Sequence, residues 1–497
     1  APKLTLEKAD KRSIDAASTI VSPHASCTIA QSYRPTSSVH YQEFQGDVAH
    51  EECQSARLKD EAWLTTKCIS RDKTTSSSER RTTDGVNDDG ENSDPVRDEQ
   101  THCLPTWSAF NSQLARDDDS TLTCIRTMPL LASPAHEYST LLNVFRQTQL
   151  VSDQIVGPDS PVILTMDMDL YQRALKLQIA KPELQGRIIL RIGELHTVFC
   201  MLRTIGSFIE GSGFDDSWIE AGIYGSSTTR QILEGKHMKR GISAHITSLQ
   251  ALFDLYVGSF VNTEPDMSDV QEKVASDIKG EYNAASYEEM KHGVAEKVGT
   301  IMKASGLPAK LENFSQEKMH QPMFAWTKMY MEMILVLLQY IRASREGNWL
   351  LHLQSLEKFC PYFFSMNRLK YAQCAPEYIA KMYALQTSKP EVWKWLCDGN
   401  FCVKKSHVAF SKIGVDHALE QVNRSLKVLG GITGITTNAD ALARFFLVAH
   451  EVSRLAEESE RQVGLQSTAT SLNHRDLSKS VVGKEETNVR KLRDVFK

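Results

Sequence analysis

Acidic residues in a predicted late helix could bind a divalent cation. Asp416, Glu420, Asn423 and Lys427 recur at intervals of four, three and four residues, so a helical period places their side chains on one face. Such a face is either solvated or binds a metal. Mg²⁺ usually takes one or two protein carboxylates, and substrate phosphates complete its shell. Asp416 and Glu420 are therefore candidate catalytic residues, and Glu420 is also a candidate ligand of Mg²⁺ or Mn²⁺.

A second acidic pair follows an apolar, β-prone run in the segment SPVILTMDMD. On a strand, residues two apart point the same way, so Asp167 and Asp169 share a face. Two neighbouring carboxylates repel unless a cation lies between them. Both are candidate catalytic residues, and Asp167 is a candidate metal ligand. The alternative is that the strand ends at Asp167 and that Asp169 caps the next helix.

Glu194 and His196 stand where a second predicted strand, GRIILRIG, leads into a helix. Such junctions collect functional groups in α/β proteins. A carboxylate beside a neutral imidazole predicts either a metal site, with Glu194 as a ligand, or a general base, with His196 in that role. The alternative is a structural histidine that is held by hydrogen bonds. Cys200, one turn further on, is predicted to face the core.

Basic residues cluster in the segment EGKHMKRGISAH and on the late helix. Clusters of this kind can contact a phosphate backbone, and they are also common on ordinary surfaces. The candidate nucleic-acid-binding residues are Lys236, Lys239, Arg240, Arg424 and Lys427.

Composition and the lengths of the apolar runs argue against a strongly basic protein and against a membrane-spanning one. The 497 residues are 41% hydrophobic and 24% charged, with a formal net charge of −5, which is typical of a globular protein and gives no overall basic bias. The longest apolar run, at 331–341, is too short to span a bilayer and predicts a buried helix. No secretory leader is visible, which predicts an intracellular protein without membrane contact.

The chain divides into regions of different pattern. Residues 1–130 have little periodicity, and 71–100 are so polar that the N-terminal region is predicted to be mostly disordered. Alternating strands and helices at 136–215 predict the first part of an α/β core. Residues 216–400 predict a helical insertion, 401–460 a return to the core with the polar helix, and 461–497 a loose charged tail.

Five segments between residues 160 and 460 carry a family resemblance: ILTMDMDLYQRALKLQ, RIGELHTVFCMLRTIGSFIEGSGFDD, ILEGKHMKRGISAH, NWLLHLQSLEKFCPYFFSMNRLKYAQ and IGVDHALEQVNRSLKVLGGITGITTN. The combination resembles a group of multi-copy, mostly uncharacterised animal proteins that derive from mobile elements. Their arrangement is similar to that of transposases with a ribonuclease-H-like catalytic core.

The resemblance implies a fold and an activity. The fold would be an α/β core with a mixed sheet, interrupted by a large all-helical insertion. Asp167 or Asp169 would be the first acid and Glu420 or Asp416 the third, whereas Glu194 and His196 stand where the second acid is expected. Two metal ions held by these acids would catalyse cleavage or strand transfer of DNA. A DNA substrate implies a nuclear location, and formation of homo-oligomers stays open.

The chain also departs from the pattern of that group. Asn367, Lys370 and Gln373 stand where the relatives tend to carry aspartate, asparagine and arginine. These departures leave open that this copy has lost its activity. The alternative function is therefore a non-catalytic, helical DNA- or protein-binding remnant of a mobile element.

Overall fold

Helices form most of the described chain. The computed structural model describes residues 50–83, 104–115, 121–125, 133–158, 160–184, 186–284, 293–426 and 478–497, and the single positions 131, 440, 444 and 462. In chain order its α-helices are α1 (Glu51–Thr83), α2 (Trp107–Leu114), α3 (Tyr138–Ile155), α4 (Met168–Ala180), α5 (Glu194–Ile209), α6 (Phe214–Glu220), α7 (Ser226–Leu233), α8 (Met238–Thr263), α9 (Met267–Ala284), α10 (Val294–Ala304), α11 (Leu307–Lys318), α12 (Pro322–Glu346), α13 (Trp349–Ser365), α14 (Leu369–Ser388), α15 (Pro390–Trp395), α16 (Val415–Leu426) and α17 (Lys479–Phe496).

Four short strands accompany these helices. Strands β1 (Val162–Met166) and β2 (Ile188–Ile192) pair in parallel, with Val162 opposite Ile188. Helix α4 supplies the crossover that a parallel pair requires. Strands β3 (Cys402–Val403) and β4 (Ile413–Gly414) form a separate antiparallel pair. The apolar, β-branched runs VILTM and IILRI explain β1 and β2, and both predicted strands are confirmed.

The core is built around α12. Its residues from Tyr330 to Ser344 are all buried except for Glu332, and α12 packs against α5, α8 and α13. The prediction of a buried helix at 331–341 is confirmed. Within the described residues, no helix combines the length and the apolar content needed to cross a membrane.

The predicted ribonuclease-H-like core with a mixed sheet is wrong. The described residues contain two separate two-stranded sheets and are otherwise mainly helical. The reason is that an apolar run flanked by turns predicts a strand without specifying how many partners it has. The strands at 162–166 and 188–192 therefore pair with each other and form no larger sheet in the described part of the chain.

Two regions predicted to be irregular contain helices. The end of the predicted loose tail is helix α17, which buries Val489 and Leu492, so the prediction of a loose tail is wrong there. Helix α1 lies in the N-terminal region, and it buries Trp63 completely. Residues 1–49 and most of 427–477 lie outside the described residues.

Candidate acid–base site

The carboxyl ends of β1 and β2 bring two helix N-termini together. The N–H group of Gly193, just after β2, donates a 2.6 Å hydrogen bond to the Met166 carbonyl at the end of β1. Asp167 follows β1 and is the N-cap of α4, because its Oδ1 accepts a 2.7 Å hydrogen bond from the Leu170 N–H. The capping role that the sequence offered to Asp169 therefore belongs to Asp167.

Asp416 joins the start of α16 to the start of α5. Its Oδ1 accepts a hydrogen bond from the Leu195 N–H at 3.0 Å, and its Oδ2 accepts one from the His196 N–H at 3.1 Å. The same Oδ2 lies 3.0 Å from Nδ1 of the His196 ring. Since the N-cap of α5 is Gly193, which has no capping side chain, Asp416 satisfies these N–H groups from another helix.

Two glycines permit this close approach. A Cβ atom at Gly193 would overlap the Asp416 carboxylate. A Cβ atom at Gly414 would lie 2.7 Å from Cβ of Glu194 and 3.0 Å from Oδ1 of Asp416. Contacts this short are incompatible with an alanine side chain unless neighbouring groups move. Glycine at both positions therefore lets α16 reach the first turn of α5.

The surroundings of His196 and Asp416 favour their charged forms. Burial lowers the pKa of His196, but the hydrogen bond to Asp416 and the charges of Asp416, Asp167 and Glu420 outweigh burial and raise that pKa above 6.5. Burial also acts to raise the pKa of Asp416. The imidazole of His196 and the N–H groups of Leu195 and His196 outweigh it, so that pKa lies below 3.8. Asp416 is buried, whereas 40% of the His196 side chain is exposed.

Glu194 is held beneath this pair by Arg191. Both side chains are buried and form an ion pair, and Arg191 also donates to the Phe401 carbonyl at 3.0 Å. Its guanidinium lies 5.2 Å from the centre of the Trp349 ring. Burial and the charge of Asp416 together raise the pKa of Glu194 to about 7, against the opposing effect of Arg191. Glu194 therefore faces the protein interior.

A cleft of about 520 Å³ opens beside His196. One wall is the α5 face with His196, Phe199, Cys200 and Arg203. The start of α4, the turn before α8 and the start of α14 form the other walls, with Asp167, Met168, Asp169, Glu234, Gly235, Asn367, Arg368, Leu369, Lys370 and Tyr371.

Most of the chain matches the model of one protein family. A family model described as "Domain of unknown function (DUF8702)" matches residues 106–497. The chain belongs to the DUF8702 family. No curated protein and no solved structure is significantly similar to the chain. The match includes all the residues of the cleft, so the acid–base site lies within the DUF8702 region.

The residues around His196 and Asp416 do not fit the predicted arrangement of two metal ions. Within the described ranges, no group of three or more His, Cys, Asp or Glu side chains could hold a metal ion. Both oxygens of Asp416 accept hydrogen bonds from N–H groups, and Glu194 is turned toward Arg191. A carboxylate engaged in this way would have to lose those donors before it could bind a cation.

The other predicted acids lie at the edge of the site. Asp169 is exposed and forms an ion pair with Lys370 across the cleft. Glu420 is exposed on α16, one turn beyond Asp416, and its charge acts on His196. The structure therefore brings Asp167, His196 and Asp416 together, places Asp169 and Glu420 around them, and separates Glu194 from the cleft by burial.

Part of the predicted basic cluster borders this site. The positive charge of Lys239 helps to lower the pKa of His417, after the larger effects of burial and Lys405, so Lys239 lies near the start of α16. Lys236 pairs with Glu234 at 2.5 Å, and Arg240 is exposed. The Arg424 side chain and all of Lys427 lie outside the described residues.

Three residues that line the cleft were not predicted from the sequence to belong to the site. Cys200 was expected in the core but lines the cleft, and Arg203 and Arg368 were not considered. The spacing of His196, Cys200 and Arg203 by four and three residues could have shown that they share a helical face. The sequence gives no such signal for Arg368, because this residue lies between α13 and α14, far from α5 along the chain. Burial raises the pKa of Cys200 to about 12, so its thiol is neutral and a poor nucleophile.

Proposed function

We propose that the cleft is an active site for acid–base cleavage of a phosphodiester, with His196 as the group that transfers protons. The observation that carries the proposal is the hydrogen bond of 3.0 Å between His196 Nδ1 and buried Asp416, made by an imidazole that lines the cleft. A carboxylate that orients a histidine in this way is a recurring element of acid–base catalysis. The resemblance to transposases makes DNA the substrate class to test first.

The chemistry needs only the neutral ring and a water molecule. When Nδ1–H is donated to Asp416, Nε2 carries the lone pair. Nε2 takes a proton from water while the water oxygen forms a bond to phosphorus. The bond from phosphorus to the leaving oxygen then breaks, and the imidazolium returns the proton to that oxygen. The products are a phosphomonoester and an alcohol, and Asp416 stays ionised throughout.

A second function is favoured by the other hydrogen bonds of Asp416. Its bonds to the Leu195 and His196 N–H groups are those of a helix cap supplied by a second helix. A cap of this kind stabilises the fold without any reaction. This observation supports the alternative of a DNA- or protein-binding remnant that keeps the fold and has no catalytic activity.

Cleavage of labelled DNA separates the two functions. Single-stranded and duplex DNA are incubated with the full chain, with Mg²⁺ or with EDTA. Because general acid–base catalysis contributes about 10²–10⁴-fold, we expect His196→Ala to lower the cleavage rate by at least about 100-fold. We expect the wild-type rate to persist in EDTA. Glu420→Ala should change the rate little, because this exposed carboxylate acts on His196 only from a distance.

A control variant and three outcomes of the cleavage assay distinguish the acid–base function from its alternatives. Lys303→Ala removes an exposed lysine from α10, which contributes nothing to the cleft, and should cleave like the wild type. Equal cleavage by His196→Ala and the wild type would contradict the proposal. Activity that is lost in EDTA and in Glu420→Ala, but kept in His196→Ala, would instead support the metal mechanism. A wild-type protein that binds DNA without cleaving it would favour the remnant.

A further inference from the structure

One face of α5 extends the site well beyond His196. His196, Cys200, Arg203 and Ser207 follow one another at intervals of four, three and four residues, so they lie along one side of the helix. His196 and Arg203 are seven residues apart, which is about 10 Å along the helix axis. A ligand that contacts both is therefore larger than a single phosphate group.

Arg368 is fixed against the far end of this face. Its Nη2 donates hydrogen bonds to the Arg203 carbonyl at 2.8 Å and to Ser207 Oγ at 2.5 Å. Burial and the positive charge of Arg203 lower the pKa of Arg368, against the raising effects of Cys200 and Glu210. Nε of Arg368 is buried without a hydrogen-bond partner in the described part of the chain. The two arginines thus stand side by side, and one of them has a donor left unused.

Three carboxylates line the cleft, and each is engaged elsewhere. Asp167 accepts the Leu170 N–H as the N-cap of α4. Asp169 pairs with Lys370. Glu234 pairs with Lys236 at 2.5 Å and with Arg230 at 3.4 Å.

No carboxylate of the described residues forms an ion pair with either arginine. Arg203 and Arg368 have no carboxylate within 4.0 Å of their guanidinium groups in the parts of the chain that the structure describes. The thiol of Cys200, which lies between His196 and Arg203 on the helix, is neutral. Glu210 acts on Arg368 only from beyond ion-pair distance. Two adjacent positive charges in the cleft therefore lack an ion-pair partner among the described residues, and this arrangement favours the binding of an anion.

We propose that Arg203 and Arg368 bind a phosphate group of a nucleotide-sized or longer ligand that runs along α5 from His196. Guanidinium groups suit this ligand, because their planar donors match phosphate oxygens. The length of the ligand rests on the proposed function, which places the reacting phosphate at His196. The binding of phosphate by the two arginines does not depend on that function. The shared chemistry is the phosphate group, whether it comes from a polynucleotide or from free phosphate.

The test measures binding of a fluorescent ten-residue oligodeoxythymidylate by anisotropy over a range of salt concentrations. For single strands, log K falls with log salt by about 0.7 for each phosphate contact. We expect Arg203→Ala and Arg368→Ala each to weaken binding by about tenfold and to reduce the salt slope by about 0.7. Arg203→Lys keeps the charge and should retain most of the slope. Lys303→Ala is the matched control and should match the wild type.

Competition with inorganic phosphate tests whether free phosphate or a polynucleotide is bound, and His196→Ala tests the subsite separately from the proposed function. Inorganic phosphate should displace the oligonucleotide from the wild type at lower concentration than from Arg203→Ala; if phosphate displaces neither, the subsite requires a polynucleotide. Unchanged affinity and salt slope in both alanine variants, with normal thermal melting, would overturn the proposal. His196→Ala keeps both arginines, so it should lose less affinity for the oligonucleotide than Arg203→Ala or Arg368→Ala. If it also cleaves DNA like the wild type, the acid–base function fails while the phosphate subsite stands.

Discussion

At the scale of single residues, the site depends on one charged pair. The raised pKa of His196 and the lowered pKa of Asp416 mean that folding favours both charged forms. The contribution of His196 is complete below pH 6.5 and is lost as pH rises through its raised pKa. That of Asp416 is present above pH 3.8 and is lost as pH falls through its lowered pKa. The pair therefore stabilises the fold most between these two values.

Removing the charge of Asp416 tests this coupling directly. We expect Asp416→Asn to lower the pKa of His196. The hydrogen bond to Asp416 and the charge of its carboxylate are the largest of the effects that raise this pKa against burial. NMR titration of the histidine C2 protons measures this pKa, and the spectrum of His196→Ala assigns the signal. Glu420→Gln, which removes the weaker and more distant charge, should move the pKa less. A His196 pKa that is the same in Asp416→Asn and in the wild type would show that the pair is not coupled.

The sequence predicted this site in part. It singled out Asp167, His196 and Asp416, and the structure brings them together. It could not assign their roles, because the pairing of Asp416 with the start of α5 joins residues 220 and 221 positions apart. The periodicity of α16 placed Asp416 and Glu420 on one face. The structure buries Asp416 against the N–H groups at the start of α5 and exposes Glu420, one turn further along α16.

At the scale of elements, the site is a meeting of helix starts at the ends of two strands. The sequence predicted β1, β2 and the helices after them, because apolar runs and glycines mark them locally. It did not predict that the sheet stops at two strands, since strand number depends on partners elsewhere in the chain. The Gly193–Met166 hydrogen bond of 2.6 Å and the contact of Gly193 with Asp416 define the junction.

Alanine at Gly193 should disturb this junction. Its Cβ atom would overlap the carboxylate of Asp416, which has no room to retreat while it binds the N–H groups of α5. We expect Gly193→Ala to destabilise the protein by about 1–3 kcal/mol, as overpacking does, when measured by urea denaturation. Gly258→Ala is the control, because nothing lies within 4 Å of its Cβ position on α8; it should stabilise the protein by about 0.5–1 kcal/mol. Equal stability of Gly193→Ala and the wild type would show that the contact is loose.

At the scale of the whole molecule, helices distant in sequence are joined by buried charges. Arg71 of α1 pairs with Asp254 of α8 at 2.7 Å and with Glu486 of α17 at 3.1 Å. Lys67 pairs with Glu486 as well. Residues 461–497, which include α17, were predicted to form a loose charged tail because their composition resembles that of a solvated segment. The charges of Glu486 and Arg493 are instead neutralised by residues more than 200 positions away, which composition cannot reveal.

Breaking this buried network from its centre should cost more than any surface ion pair. Arg71→Met removes the cation that faces Asp254 and Glu486. Among the described residues, the buried Asp254 then keeps Arg493, at 3.6 Å, as its ion-pair partner. Since removal of one partner leaves an uncompensated buried charge, we expect a loss of about 3–5 kcal/mol in the free energy of unfolding. Lys394→Ala, which breaks the exposed pair with Asp398, should change it by no more than about 1 kcal/mol. Similar small losses in both variants would mean that α17 does not depend on these charges. A large loss in Arg71→Met alone would establish that the buried charges hold α1, α8 and α17 together.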